Sequence, residues 1–421
     1  MVICKNYITI LLAASLFTRA VGDIVVPGAN GTDGVLNITT NTVIDLSQAV
    51  TAAWDSDNST NEGKGVYDAS KWAVVFKYSS VTIRSNATVT FRNHASRAPV
   101  VWLVSGDVRI DGNVNLDGQN WVVAPRHAEP GPGGFRGATA TYSGLRYGAG
   151  FGVGGGQAGG SGGNYGTVPG TPPWASPYGN PSMLQLLGGS GGGAGDTGNG
   201  GSGSPDASGG AGGGAILIAS SHSIRVFGNV SAKGGDGHYN GAWGQLGGGG
   251  SGGGIRLVAK TISGKGSLYA PPGRGSIGNG RIRLERVEAD PSDGVILISP
   301  DPSVVTLAQG SEALLWPPTG APEVRITSIG GGAVSLDPRA GFGAFGPDVA
   351  LPITNKTFVT VETKNVEPQS QVIVRVTPRA NANFLEANAA IVSSTNSAIQ
   401  WQAGVDVKVG YSAVQVRVVR P

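Results

Sequence analysis

The chain has 421 residues, 30 basic against 27 acidic side chains, 72 glycines and a single cysteine. One cysteine excludes a disulfide framework, and this much glycine excludes a helix-rich globule, because each interior glycine costs a helix about 1 kcal/mol against alanine. No run of Lys and Arg provides the electrostatic footprint that nucleic acid or an anionic membrane requires.

Residues 1–22, MVICKNYITILLAASLFTRAVG, place Lys5 ahead of an apolar run from Tyr7 to Phe17, with small residues around Ala20 and Gly22. That is the order of a secretory signal peptide, and the run is too short to span a bilayer. Cleavage is expected after Gly22, with Ala20 as the second choice, and Cys4 leaves with the leader. Loss of Lys5 and Arg19 leaves 28 basic against 27 acidic residues. No later segment reaches the roughly 20 apolar residues of a transmembrane helix, so a secreted or cell-surface protein is expected.

Four segments then align: VVFKYSSVTIRSNATVTF from Val74, VVWLVSGDVRIDGNVNLDG from Val100, AILIASSHSIRVFGNVSAKGG from Ala215 and IRLVAKTISGKGSLYAPPG from Ile255. Each has a short apolar run, small residues, an alternating pair, a Gly or Asn turn and a second alternating pair. Short period-two strands broken by Gly and Asn are β structure. Recurrence of the same three-strand pattern implies units that bury their apolar faces only by stacking. GVLNITTNTVIDL before and GRIRLERVE after read as partial coils. The expected fold class is all-β: a parallel β-helix-like solenoid over 23–289, with Gly-rich insertions at about 119–214 and 234–254.

The insertions have two readings. One is flexible low-complexity linker. The other is ordered polyglycine-type helices packed side by side, which need glycine on crowded faces. Anchorage of each tract between two strand segments favours order, and strict Gly-X-Y spacing is absent. From about Asp290 glycine falls and strands lengthen, from GVILISP and SVVTLAQG to SAVQVRVV. Residues 290–421 are therefore expected to form an immunoglobulin-like or fibronectin-like β-sandwich.

Alternation turns Asp107, Arg109 and Asp111 outward, with Ser80, Thr82 and Arg84 aligned on one side and Ser223, Arg225 and Phe227 on the other. Asp107, Arg109, Asp111 and Arg225 are the catalytic candidates for a polysaccharide lyase or hydrolase. Against this, Asp107 and Asp111 lie about 13 Å apart along one strand, beyond the roughly 5 to 9.5 Å of paired glycosidase carboxylates. An Arg84–Asp111 ion pair across strands is the structural alternative. His94, His127, His222 and His238 are scattered without metal-ligand spacing, and no motif implies a metal or cofactor. Tyr165, Trp174, Tyr178, Tyr239 and Trp243 sit in or beside the glycine tracts. These rings either pin the loops or form a recognition surface of the Tyr, Ser, Gly and Asn kind.

At APVVWLVSGDVRIDGNVNLDG, PGPGGFRG, GGGAILIASSHSIRVFGNVSAKGGDG and GGGGSGGGIRLVAKTISGKGSLYA the chain resembles a group of exported, glycine-rich bacterial proteins without assigned function. That resemblance extends from about Val74 onward and transfers no catalytic residue. In its glycine tracts alone the chain is similar to phage tail-tip adhesins, an analogy that implies ordered glycine and surface recognition. Two functions follow as expectations. The first is a non-enzymatic structural or adhesive protein whose partners are extracellular polysaccharides or cell-surface components, and the second is the carbohydrate-active enzyme.

Overall fold

The computed structural model describes residues 23–57, 63–123, 126–141, 146–166, 177–195, 207–240, 244–337, 347–352, 356–379 and 382–421. The chain is all-β, and among these residues the only helices are two 3-10 turns, Leu46–Gln48 and Pro291–Asp293. Each aligned segment supplies strands that pair in parallel with their counterparts in the next. Ala73–Tyr78, Val100–Val104, Ala215–Ser220, Gly254–Ser263 and Arg281–Ala289 are neighbours in a 12-stranded sheet. Thr88–Arg92, Asn113–Asn115, Asn229–Ser231, Ser267–Tyr269 and Leu297–Ser299 belong to a six-stranded one.

Register follows from the apolar positions. Phe76, Trp102, Ile218, Leu257 and Leu284 are successive partners. They share one core with Val81, Val108 and Ile224 of the second strands and with Val89, Val114, Val230 and Leu268 of the third. The second and third strands alternate because only one of their faces is buried. The first strands read as unbroken apolar runs because both faces are. Val75, Val101, Leu103, Leu217 and Val258 point the other way, into a second core closed by Ile24, Val26, Ala313 and Leu315. Arg256 holds this cover in place, its guanidinium donating to the carbonyls of Leu314 (2.6 Å) and Leu315 (3.2 Å) and to Glu285 (2.8 Å).

The described residues of the glycine tracts are ordered, and they continue the strands. Asn113 pairs with Asn229 and Asn229 with Ser267, and this offset persists beyond the strand ends. The Asn120 side chain accepts from the Asp236 N–H at 2.9 Å, and the Asp236 carboxylate accepts from the Arg274 N–H at 2.9 Å. In the returning tract 207–214, consecutive N–H groups turn to three neighbours in rotation. Gly209 and Gly212 donate to Ala138 and Phe135, Gly210 and Gly213 to Gly248 and Ser251, and Ala211 and Gly214 to Gln119 and Leu116. A direction recurring every third residue is the geometry of a polyproline-II-type helix, which has no internal hydrogen bonds to offer. Gly189, Gly192 and Gly195 donate in the same rhythm to Gly213, Gly210 and Ala207. Glycine is obligatory where the chains touch: a Cβ on Gly212 would lie 1.9 Å from the Gly189 carbonyl oxygen, and one on Gly253 1.8 Å from that of Gly214.

The boundary expected at 290 is corrected. Leu297–Ser299 and Ser303–Thr306 pair in parallel with Ser267–Tyr269 and Arg281–Ala289, so both belong to the stacked sheets. Short alternating strands look alike in either setting, and only their partners distinguish them. Among the described residues the C-terminal unit begins with Glu323–Ile329 and has two antiparallel sheets, of five and three strands. Val359, Val361, Val372, Val374 and Trp401 fill the core between them. Gln371–Pro378 is buried on both faces, because Arg375 points away from that core into the glycine bundle. Its guanidinium donates to the carbonyls of Gly152 (2.9 Å), Val153 (2.6 Å) and Gly155 (3.0 Å), and the Phe384 ring covers it at 3.4 Å.

Candidate functional site

The outward column has the expected register: Val108 pairs with Val81 and Ile224, and Arg109 with Thr82 and Arg225. Val108 and Ile110 are buried, and Arg109 faces solvent. Asp107, Arg109, Asp111 and Arg225 each have a partner. The Ser223 hydroxyl donates to Asp107 at 2.6 Å, and Arg109 Nε donates to Asp111 at 2.8 Å. The Asp111 hydrogen bond, with the Asp111 and Asp293 charges, raises the Arg109 pKa. Arg225 faces Asp293 at 3.6 Å, and Ser263 donates to the same carboxylate at 2.8 Å.

Arg109 and Arg225 therefore stack in register without net repulsion, since Asp111 and Asp293 alternate with them. The expected Arg84–Asp111 pair is replaced by one within a strand. Arg109 lies over the Phe227 ring at 4.8 Å and bends along its own strand to reach Asp111. Asp107 and Asp111 remain four residues apart on one strand, about 13 Å, beyond the reach of either glycosidase geometry.

The aromatic candidates separate. Tyr165 is 1% exposed and Tyr178 8%, and their rings pack at 4.9 Å. The Tyr178 hydroxyl donates to the Gly188 carbonyl at 2.7 Å and accepts from Ser190 at 2.9 Å. Burial pushes both phenol pKa values up. These two rings pin the bundle, so the recognition role is corrected for them: large rings fill area that glycine leaves empty. Trp174 and Trp243 lie outside the described residues. Tyr239 is 45% exposed, with the Arg274 guanidinium 4.6 Å from its ring centroid. Trp121, which sequence reasoning missed, packs on His238 at 4.3 Å and donates its backbone N–H to Asp236. The signal that locates it is the constant offset between NLDGQNW and SAKGGDG, which brings 121 beside 237.

His127 is half-buried in the bundle, with Nδ1 2.9 Å from the Gly137 carbonyl and Phe151 against its ring edge. Burial pushes its pKa down to about 4. Among the described residues no group of three His, Cys, Asp or Glu side chains is placed to hold a metal ion, and no helix is long and apolar enough to cross a membrane. No family model matches the chain, and no curated protein or solved structure shows significant similarity to it.

Proposed function

We propose that the protein is a non-enzymatic, secreted or cell-surface structural or adhesive protein that displays glycine-rich, aromatic-decorated loops. In this reading the stacked sheets form a parallel β-helix-like solenoid. The two antiparallel sheets form an immunoglobulin-like or fibronectin-like module that spaces or attaches it. The observation that carries the reading is the bonding of the glycine tracts. Their N–H groups are satisfied by three neighbours in turn, which holds the ends of the excursions on a rigid base. The spacing of Asp107 and Asp111 in the outward column adds support, because about 13 Å is beyond the reach of paired glycosidase carboxylates.

The test is incubation of the protein with a panel of cell-wall and extracellular polysaccharides, scoring retention on the polymer and release of shortened or unsaturated sugars together. Retention without release is the expected result. Release overturns the reading and makes Asp111, Arg109 and Arg225 the first residues to substitute.

A further inference from the structure

The strand Ser412–Val419 is an edge of the three-stranded sheet, paired on one side only, with Gln371–Pro378. The Arg379 N–H donates to the Tyr411 carbonyl at 2.8 Å, so these two are a bonded pair, and in an antiparallel ladder every second pair after them is bonded too. Gln415 and Arg417 therefore bond to Arg375 and Ile373, while Ser412, Val414, Val416 and Val418 turn their N–H and C=O groups to the open edge. Among the described residues no group bonds to the backbone of those four. The other edges of the two sheets are blunted: Gly332–Ala333 has two residues, Leu385–Asn388 has four, and Ala390–Ser394 carries a bulge between Ile391 and Ser393. Ser412–Val419 runs eight residues in unbroken register, with no proline or lysine.

This edge opens on a groove between the C-terminal sheets and the glycine bundle, with a cavity volume of about 1860 Å³. An added strand of the same length, about 27 Å long, about 4.8 Å from its neighbour and about 10 Å from face to face, needs about 1,300 Å³. Its two faces meet different walls, Val324, Ile326 and Leu351 on the side of the five-stranded sheet and Phe135, Leu184 and Leu187 on the side of the bundle. Both walls are apolar. The arginines of the lining are already held, Arg97 and Arg136 by Glu129, Arg325 by Glu362, Arg417 by Glu386 and Arg420 by Glu367, so the groove has no free guanidinium charge to offer. The complement of such a groove is a single extended chain, uncharged and apolar on both faces.

We propose that the open edge of Ser412–Val419 takes up an extended, uncharged, apolar segment of a partner protein as a fourth strand of its sheet. Main-chain hydrogen bonds to Val414, Val416 and Val418 supply the affinity, and the two apolar walls select the sequence. The proposal goes beyond the adhesive reading: it concerns a protein partner, and polysaccharide retention neither supports it nor removes it.

The experiment uses the full chain and a capped peptide of alternating valine and threonine, as long as the edge strand, with a second peptide of the same sequence N-methylated at every residue. Binding is followed by calorimetry, and amide hydrogen exchange is resolved to single residues. Expected are binding of the first peptide only and slowed exchange at Val414, Val416 and Val418. Exchange at Gln415 and Arg417 stays as it was, because their N–H groups are already bonded to the neighbouring strand. Val418→Pro removes one edge donor without breaking a ladder bond and is expected to weaken binding about tenfold. Equal binding of both peptides overturns strand addition, and so does binding without protection of the three valines. Absence of binding overturns the proposal as well. The exchange pattern of the unsubstituted chain decides the outcome even where Val418→Pro fails to fold.

Discussion

His127 shows what a single half-buried ionisable residue does in a body made largely of glycine. Its neighbours are a backbone carbonyl and a phenyl ring edge, and nearby Arg136 and Arg379 disfavour a further positive charge. The folded pKa of about 4 lies below the ordinary 6.5, so the unfolded chain takes up a proton first as the pH falls. Stability from this residue is complete above pH 6.5 and is lost as the pH falls toward 4, by up to about 3 kcal/mol. Urea unfolding followed between pH 7 and pH 4.5 is expected to show this loss, with a flatter profile in His127→Gln. An equally steep profile in the variant would place the acid sensitivity elsewhere.

At the scale of an element, the glycine tracts exchange side-chain burial for backbone hydrogen bonding at very close approach. Gly212→Ala sets a methyl 1.9 Å from the Gly189 oxygen and 2.2 Å from its carbonyl carbon, and neither is free to move, because the Gly189 N–H is itself bonded to Gly213. A loss of about 1–3 kcal/mol or more is expected. Gly404→Ala is the contrast: its Cβ would meet the end of the flexible Lys356 side chain at 2.8 Å. Thermal unfolding distinguishes the two, with a clear drop in midpoint for the first and little change for the second. Equal midpoints would mean that the tracts do not contribute to the cooperative core.

Across the whole molecule, Arg375 joins the two units. It satisfies three carbonyls of the bundle from a strand of the C-terminal sheets, and burial pushes its pKa down to about 10, still well above neutral. Arg375→Ala leaves the Val153 and Gly155 carbonyls without their donor beneath Phe384, at a cost of about 3 kcal/mol or more. The C-terminal sheets have their own core, so their release ahead of the stacked sheets is expected. It should appear as a biphasic urea transition and a larger radius of gyration by X-ray scattering, with partial rescue by Arg375→Lys. A single unshifted transition would assign the docking to other contacts, such as the Tyr67 hydroxyl donating to Asp337.

The sequence by itself determined where the stacked strands lie, which faces turn inward and which residues stand opposite each other, because period-two alternation records one-sided burial directly. Val108, Ile110 and Val114 were legible for that reason, as was the outward placing of Arg109. The unbroken runs VVWLV and AILIA were legible as strands, but what covered their second face was not: Ile24, Val26, Ala313 and Leu315 arrive from distant parts of the chain. The glycine bundle was visible only as composition. A residue without a side chain leaves no periodic mark, so a threefold rotation of N–H directions writes nothing into the sequence. Tertiary structure alone decided that the described residues of these tracts are ordered, that Tyr165 and Tyr178 are struts within them and that Arg375 reaches their carbonyls. Each of these depends on which distant backbone comes to lie alongside.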